Sequence, residues 1–177
     1  MFTKHHVKQI TFVLACFAIA SGCSSTTAQI PAKVDNAYAI GQRIDTNCIT
    51  QVTEREQAVQ ASNSPAQFMA LANQATRCIE NIRFFPSHPD KQLAMRFNAL
   101  AVVNFVKSGD ITAAKDSLAQ FKRRFAQQDL VFDDYTSFID TATALLEPDL
   151  SSRQLAMLNI NPVLRGELTR ARQWALQ

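Results

Sequence analysis

Four glycines, one tryptophan and three histidines in 177 residues leave little material for several kinds of protein. Scarce glycine beside plentiful alanine, leucine, glutamine and arginine favours helices over strands, and no window of alternating β-branched residues bounded by turn residues reads as a strand. His5 and His6 fall in the first ten residues, so the body of the chain holds His88 alone. A zinc site takes three or four nitrogen or sulfur ligands, and none can be assembled here unless Cys48 and Cys78 stay reduced. There is no Gly-x-Ser-x-Gly and no histidine placed near a serine in a familiar catalytic order. Asp133 and Asp134 form an acidic pair, but adjacent aspartates at a helix start ordinarily serve the helix dipole. The sequence therefore reads as that of a non-enzyme without a cofactor or metal. The apolar run from Ile10 to Ala20 has eleven residues. A helix needs about 20 to cross a hydrocarbon core of about 30 Å.

What that short run does have is a setting. Lys4, His5, His6 and Lys8 precede it and small residues follow, which is the order of an export signal. Its end, Ile19-Ala20-Ser21-Gly22-Cys23, resembles a bacterial lipobox. The resemblance covers residues 1–23 and implies cleavage before Cys23 and acylation of that cysteine. Lipoproteins of this kind carry three chains there, and two or more chains make a durable anchor. Ser24, where an aspartate would retain the protein at the inner membrane, implies the outer membrane with the body in the periplasm. The alternative is an ordinary secretory signal cleaved after Ala20 or Ala28. Cleavage after Ala20 would export Cys23, Cys48 and Cys78, leaving one thiol over, whereas lipidation consumes Cys23 and leaves a pair. The chain thus divides into a signal (1–22), a lipidated cysteine with a polar tether (23–32) and one helical domain (33–177). Residues 24–32, fully extended, reach about 30 Å from the anchor. Loss of Lys4 and Lys8 takes 18 basic residues to 16 against 15 acids, so the mature chain is close to neutral. That balance supplies no basic face for nucleic acid.

Along the domain, Val34, Ala37, Gly41, Ile44, Cys48, Val52 and Val59 form a helical stripe running to about Gln60. Ser64 as N-cap, Pro65 at the first position and Gln67 in capping-box spacing predict a second helix, with inward residues from Phe68 to Phe85 and an end before Pro86. Cys48 lies fifteen residues before Asn63 and Cys78 fifteen after it, so a hairpin turning at Asn63 sets them at one height on facing stripes. Facing helices pack about 8–10 Å apart, within reach of a disulfide, and an exported compartment permits the bond. The alternative is two small buried thiols. His88-Pro89-Asp90 matches the signature triplet of J-domains, but Ile82–Pro86 lacks the basic helix that precedes it there. The triplet instead predicts a proline and an aspartate opening a third helix, from about Pro89 to Lys107, apolar on most sides and therefore central.

Gly109 and Asp110 then end one helix and cap the next, which points Ile111, Ala114, Leu118, Phe121 and Phe125 inward and Lys115, Lys122, Arg123 and Arg124 outward. Ala101, Val102, Phe105, Gly109, Ala114 and Leu118 fall where a tetratricopeptide unit places its packing residues, so residues 94–127 resemble one such unit. A fifth helix is expected to bury Tyr135, Phe138, Ile139, Ala142, Leu145 and Leu146, and a sixth to run from about Ser152 to Leu158. A seventh, opened by Asn161 and Pro162, is expected to lie as a lid on Val163, Leu164, Leu168, Ala171 and Trp174, with Arg165, Arg170 and Arg172 in solvent. The expected fold is all-α, stacked antiparallel hairpins forming a tetratricopeptide-like repeat or bundle. The expected function is a membrane-tethered module that binds or helps assemble another envelope protein. The alternative is a small-molecule or lipid carrier with a cavity among Phe97, Phe105, Phe121 and Phe138.

Overall fold

A computed structural model describes residues 42–175, and within them the fold is an all-α bundle of helical hairpins. Seven helices follow in order: α1 (Thr46–Gln60), α2 (Pro65–Ile79), α3 (Lys91–Ser108), α4 (Ile111–Arg124), α5 (Phe138–Leu146), α6 (Ser152–Met157) and α7 (Pro162–Ala175). Among the described residues the sole extended pairing is an isolated antiparallel bridge between Val131 and Ser137. The proposed signal, Cys23, the tether and the stripe from Val34 to Gly41 lie outside the described residues.

Within the described residues α1 begins later than the periodicity predicts. Asp45 is in an extended conformation and its carboxylate accepts the Cys48 N–H at 2.9 Å, so the helix is capped there. Ile44 is buried ahead of it, before the helix begins. Pro65 opens α2 as expected, but the capping box does not form. The Ser64 N–H that Gln67 would have reached is already bonded to Ser62 Oγ at 3.0 Å. At its other end α2 stops at Ile79, short of Phe85. Residues 82–85 alternate instead, with Ile82 and Phe84 buried and Arg83 exposed, which is the period of an extended strap. Phe84, not Phe85, takes the deep position, its ring 6.0 Å from that of Phe125.

The α3–α4 hairpin follows the sequence closely. Gly109, at φ +83°, returns its N–H to Phe105 and Val106, and the Asp110 N–H bonds Phe105 O at 3.0 Å, closing the helix end. The Asp110 carboxylate caps α4 through the Ala113 N–H at 2.9 Å. Ala114, Leu118, Phe121 and Phe125 are buried, whereas Ile111 is exposed at the first turn. Helix α3 packs against α2, α4 and α5, so it is the central element. One core joins residues of α1 to α5 around it. A smaller cluster of Ala144, Leu155 and Ile160, with Leu158 and Leu168 against it, attaches α6 and α7.

Helix α5 is shorter than expected because the chain before it is held in a turn. The Asp134 carboxylate accepts the Thr136 hydroxyl at 2.6 Å and its N–H at 3.2 Å, and Tyr135 sits at φ +62° with its side chain 83% exposed. Ser137 caps α5 through the Asp140 N–H and donates to the Asp129 carboxylate, which also accepts the Ile139 N–H at 3.1 Å. Helix α6 carries a full capping box between Ser151 and Gln154. Helix α7 starts where Asn161-Pro162 predicts, yet it buries no residue and is not a lid. Val163 and Trp174 are 73% and 70% exposed. Arg165 and Arg172 turn the other way, donating to the carbonyls of Leu158 and Leu150 at 2.7 Å each. The two guanidinium groups thus fasten the helix alongside Leu168, while Val163 and Trp174 stay outside.

Candidate functional site

Because α3 is packed by α2, α4 and α5 on its other sides, one stripe remains open: Leu93, Arg96, Leu100, Val103 and Lys107, spaced by three or four residues. That spacing is one face of a helix. Leu93, Leu100 and Val103 are half-buried, and Arg96 and Lys107 are exposed. Two walls rise beside it. Helix α1 supplies Glu56, Val59 and Gln60, and the turn before α5 supplies Leu130, Val131, Phe132 and Asp133. Between them lies a cleft of about 710 Å³ over Gln92–Val103, and it adjoins a second of about 500 Å³ over Leu100–Lys107, bounded by α1, the α1–α2 turn and Phe68 and Leu71 of α2; the two share Glu56, Leu100 and Val103. Together they make one groove along α3 with an apolar floor.

Its charges are distributed unevenly. At the shared middle Arg96 pairs with Glu56 across the groove at 3.1 Å. Asp133 stands in the half beside Leu93, and Lys107 in the other half, its ammonium 5.4 Å from the centre of the Phe68 ring. Neither makes an ion pair among the described residues. The wall turn is firmly held. Asp134 also accepts the Asn161 amide at 2.9 Å, and Asn159 donates to Tyr135 O at 2.9 Å. The Thr136 hydroxyl, followed by the Asn161 amide, holds the Asp134 carboxyl below the ordinary carboxylate value.

Other residues singled out in the sequence go elsewhere. Cys48 and Cys78 are brought together as a disulfide pair, their Cα atoms 5.8 Å apart. His88-Pro89-Asp90 does more than start a helix. Asp90 occupies the N-cap position of α3 without capping it. Its carboxylate faces back to the segment before α1, taking Arg43 through two bonds of 2.6 Å and the Ile44 N–H at 3.0 Å. The Asp90 N–H in turn donates to His88 Nδ1 at 3.0 Å, so the ring proton sits on Nε2, 3.3 Å from Gln42 O. The Arg43 guanidinium holds the Asp90 carboxyl below its ordinary value, and Asp90 raises that of Arg43. This knot, with His88, Asp90 and Ile44 buried and Arg43 exposed, clamps residues 42–44 to the α2–α3 connection, a role that sequence alone concealed because Arg43 lies 47 residues away.

Lys122 and Arg123 point to solvent, but Arg124 is half-buried. It donates to Glu80 O at 2.9 Å and lies 5.9 Å from the Phe84 ring centre, and burial lowers its basicity. Phe97, Phe105, Phe121 and Phe138 are all buried, and the rings of Phe121 and Phe138 meet edge to face at 4.7 Å. They fill the core, and none lines the clefts described above, so the carrier's expected cavity is not found there. Among the described residues no group of histidine, cysteine, aspartate or glutamate is arranged to hold a metal ion, and no helix is long and apolar enough to cross a membrane. Comparison with protein-family models, with curated proteins and with solved structures finds no match.

Proposed function

We propose that this chain is a lipid-anchored, non-catalytic module of the bacterial envelope, attached through Cys23 to the outer membrane with its body in the periplasm, and that it holds another envelope protein in the α3 groove. The observation that carries the reading is the open stripe on the most central helix. Leu93, Leu100 and Val103 lie half-buried in line at the bottom of a walled groove, where a helix so heavily packed elsewhere would be expected to be covered. The pairing of Cys48 with Cys78 supports the compartment, since such bonds persist outside the reducing cytosol. The lipobox resemblance supports the anchor.

The test places a photo-reactive amino acid at Val103 in living cells and irradiates them. Crosslinking to an envelope protein, reduced when Leu100 is also changed to Asp, is the expected result, and irradiation that yields no protein adduct would remove the reading. Mass spectrometry of the mature amino terminus examines the anchor separately. Three acyl chains on Cys23 are expected. In Cys23→Ser the processed, membrane-attached form should disappear.

A further inference from the structure

We infer that the occupant of the α3 groove is a single amphipathic helix of another protein, lying parallel to α3 with its amino-terminal end beside Asp133 and its carboxyl-terminal end beside Lys107. The inference rests on the binding reading above and gives it a chemistry. Backbone is the first reason for a helix. In the half beside Leu93 the groove walls are a helix and a turn, and the one extended pairing nearby is an isolated bridge of Val131 with Ser137, too short to template an added strand. An extended peptide would find no free strand edge there and would lay unpaired N–H and C=O groups over Leu93, Leu100 and Val103. A helix satisfies its own backbone and offers side chains at matching spacing.

Length agrees. From Gln92 to Lys107 the groove follows about four turns of α3, about 22 Å at 1.5 Å per residue. The floor residues Leu93, Leu100 and Val103 stand seven and then three residues apart, the spacing of helical anchors.

Charge supplies the direction. The groove is neutral at the Arg96–Glu56 pair, negative in the half with Asp133 and positive in the half with Lys107. A helix carries partial positive charge at its amino end and partial negative charge at its carboxyl end, so it is attracted in one orientation and opposed in the other. Both groove charges are exposed, so they select direction and register more than they add affinity, and salt weakens their effect.

The experiment uses the full chain in cells, with the photo-reactive residue placed in turn at Gln92, Leu93, Leu100, Val103 and Lys107, and maps the partner residues attached at each. Positions Leu93 and Leu100 are about 10 Å apart, which a helical partner covers in about seven residues and an extended one in about three. The expected map is one stretch of about 15 partner residues, attached in the same order as the probes, with adducts from Leu93 and Leu100 seven residues apart. Asp133→Lys and Lys107→Glu are each expected to lower the adduct yield several-fold at low salt and less at high salt. A spacing near three, a reversed order, adducts scattered over a folded surface, or a product of two copies of this chain overturns the helix proposal while leaving a binding groove in place. No protein adduct at any position removes both. Gln92 and Lys107 are exposed, so those two probes report even if a label on the apolar floor disturbs folding.

Discussion

The Asp90 carboxylate accepts from Arg43 and from the Ile44 N–H, and its burial lets a mutation be read. Replacing it by Ala leaves the buried Ile44 N–H without a partner, a loss of about 1–2 kcal/mol, and frees Arg43. Because the folded carboxyl is held below its usual value of 3.8, its contribution is complete above that value and disappears as pH falls through the lower, folded one. Denaturant midpoints of parent and Asp90→Ala are therefore expected to differ most at about pH 7 and to draw closer in acid well below 3.8. Equal separation at both would mean that the charge is irrelevant. Gly109 gives a cleaner case. A Cβ added there would meet nothing within 4 Å, so Gly109→Ala should act through the backbone at φ +83° alone. The cost expected is about 1 kcal/mol, or a fall in Tm of about 2–4 °C. This position was legible in the sequence, since glycine followed by a capping aspartate has a local meaning. Asp90 and Tyr135 were not, because what holds them are residues distant in the chain, Arg43 for the first and Asn159 for the second.

Among the elements, those with local start and stop chemistry were readable: Pro65, Asp110 and Asn161-Pro162 each mark the helix they were expected to mark. The unreadable boundaries lay where apolar periodicity continued past a helix into strap. Ile44 and Ile82 are buried outside any helix, and a stripe with the right spacing does not say whether the chain between its members is helical. In the α1–α2 hairpin the facing was legible although the boundaries were not, because the cysteine register fixes turn and facing together. Closing that loop of 30 residues should stabilise the fold by about 3.5 kcal/mol in the chain-entropy model. Changing both cysteines to Ala is expected to lower the denaturation free energy by that order, and thiol titration of the unfolded parent should find neither Cys48 nor Cys78 free. The groove itself was missed. Leu93 and Leu100 lie on a helix that the sequence shows as apolar on most sides, and only the packing of the neighbours reveals which side is left uncovered.

At the scale of the whole molecule the described residues fall into two tiers of unequal cohesion. The core of α1 to α5 is built around a helix packed by three others, while α6 and α7 rest on Ala144, Leu155, Ile160 and two carbonyl-bound arginines. Segments with little buried apolar surface open at lower free energy than the core they adjoin. Helix α7 buries no residue, so it should open first, before the groove loses its shape. The chain's one tryptophan, Trp174, lies on that helix with 70% of its surface exposed. Its fluorescence therefore reports local structure at the carboxyl end and little of the core. In a urea titration the tryptophan signal is expected to change at a lower concentration than far-UV circular dichroism. Amides of α7 are expected to exchange well before those of α3. Coincident transitions by both probes would show instead that α7 is part of the same cooperative unit as the groove. A partner helix on α3 would then be felt at Trp174 as well. In the two-tier molecule, filling the groove raises the core transition and leaves the tryptophan transition where it was, because a ligand stabilises only the unit whose opening destroys its site.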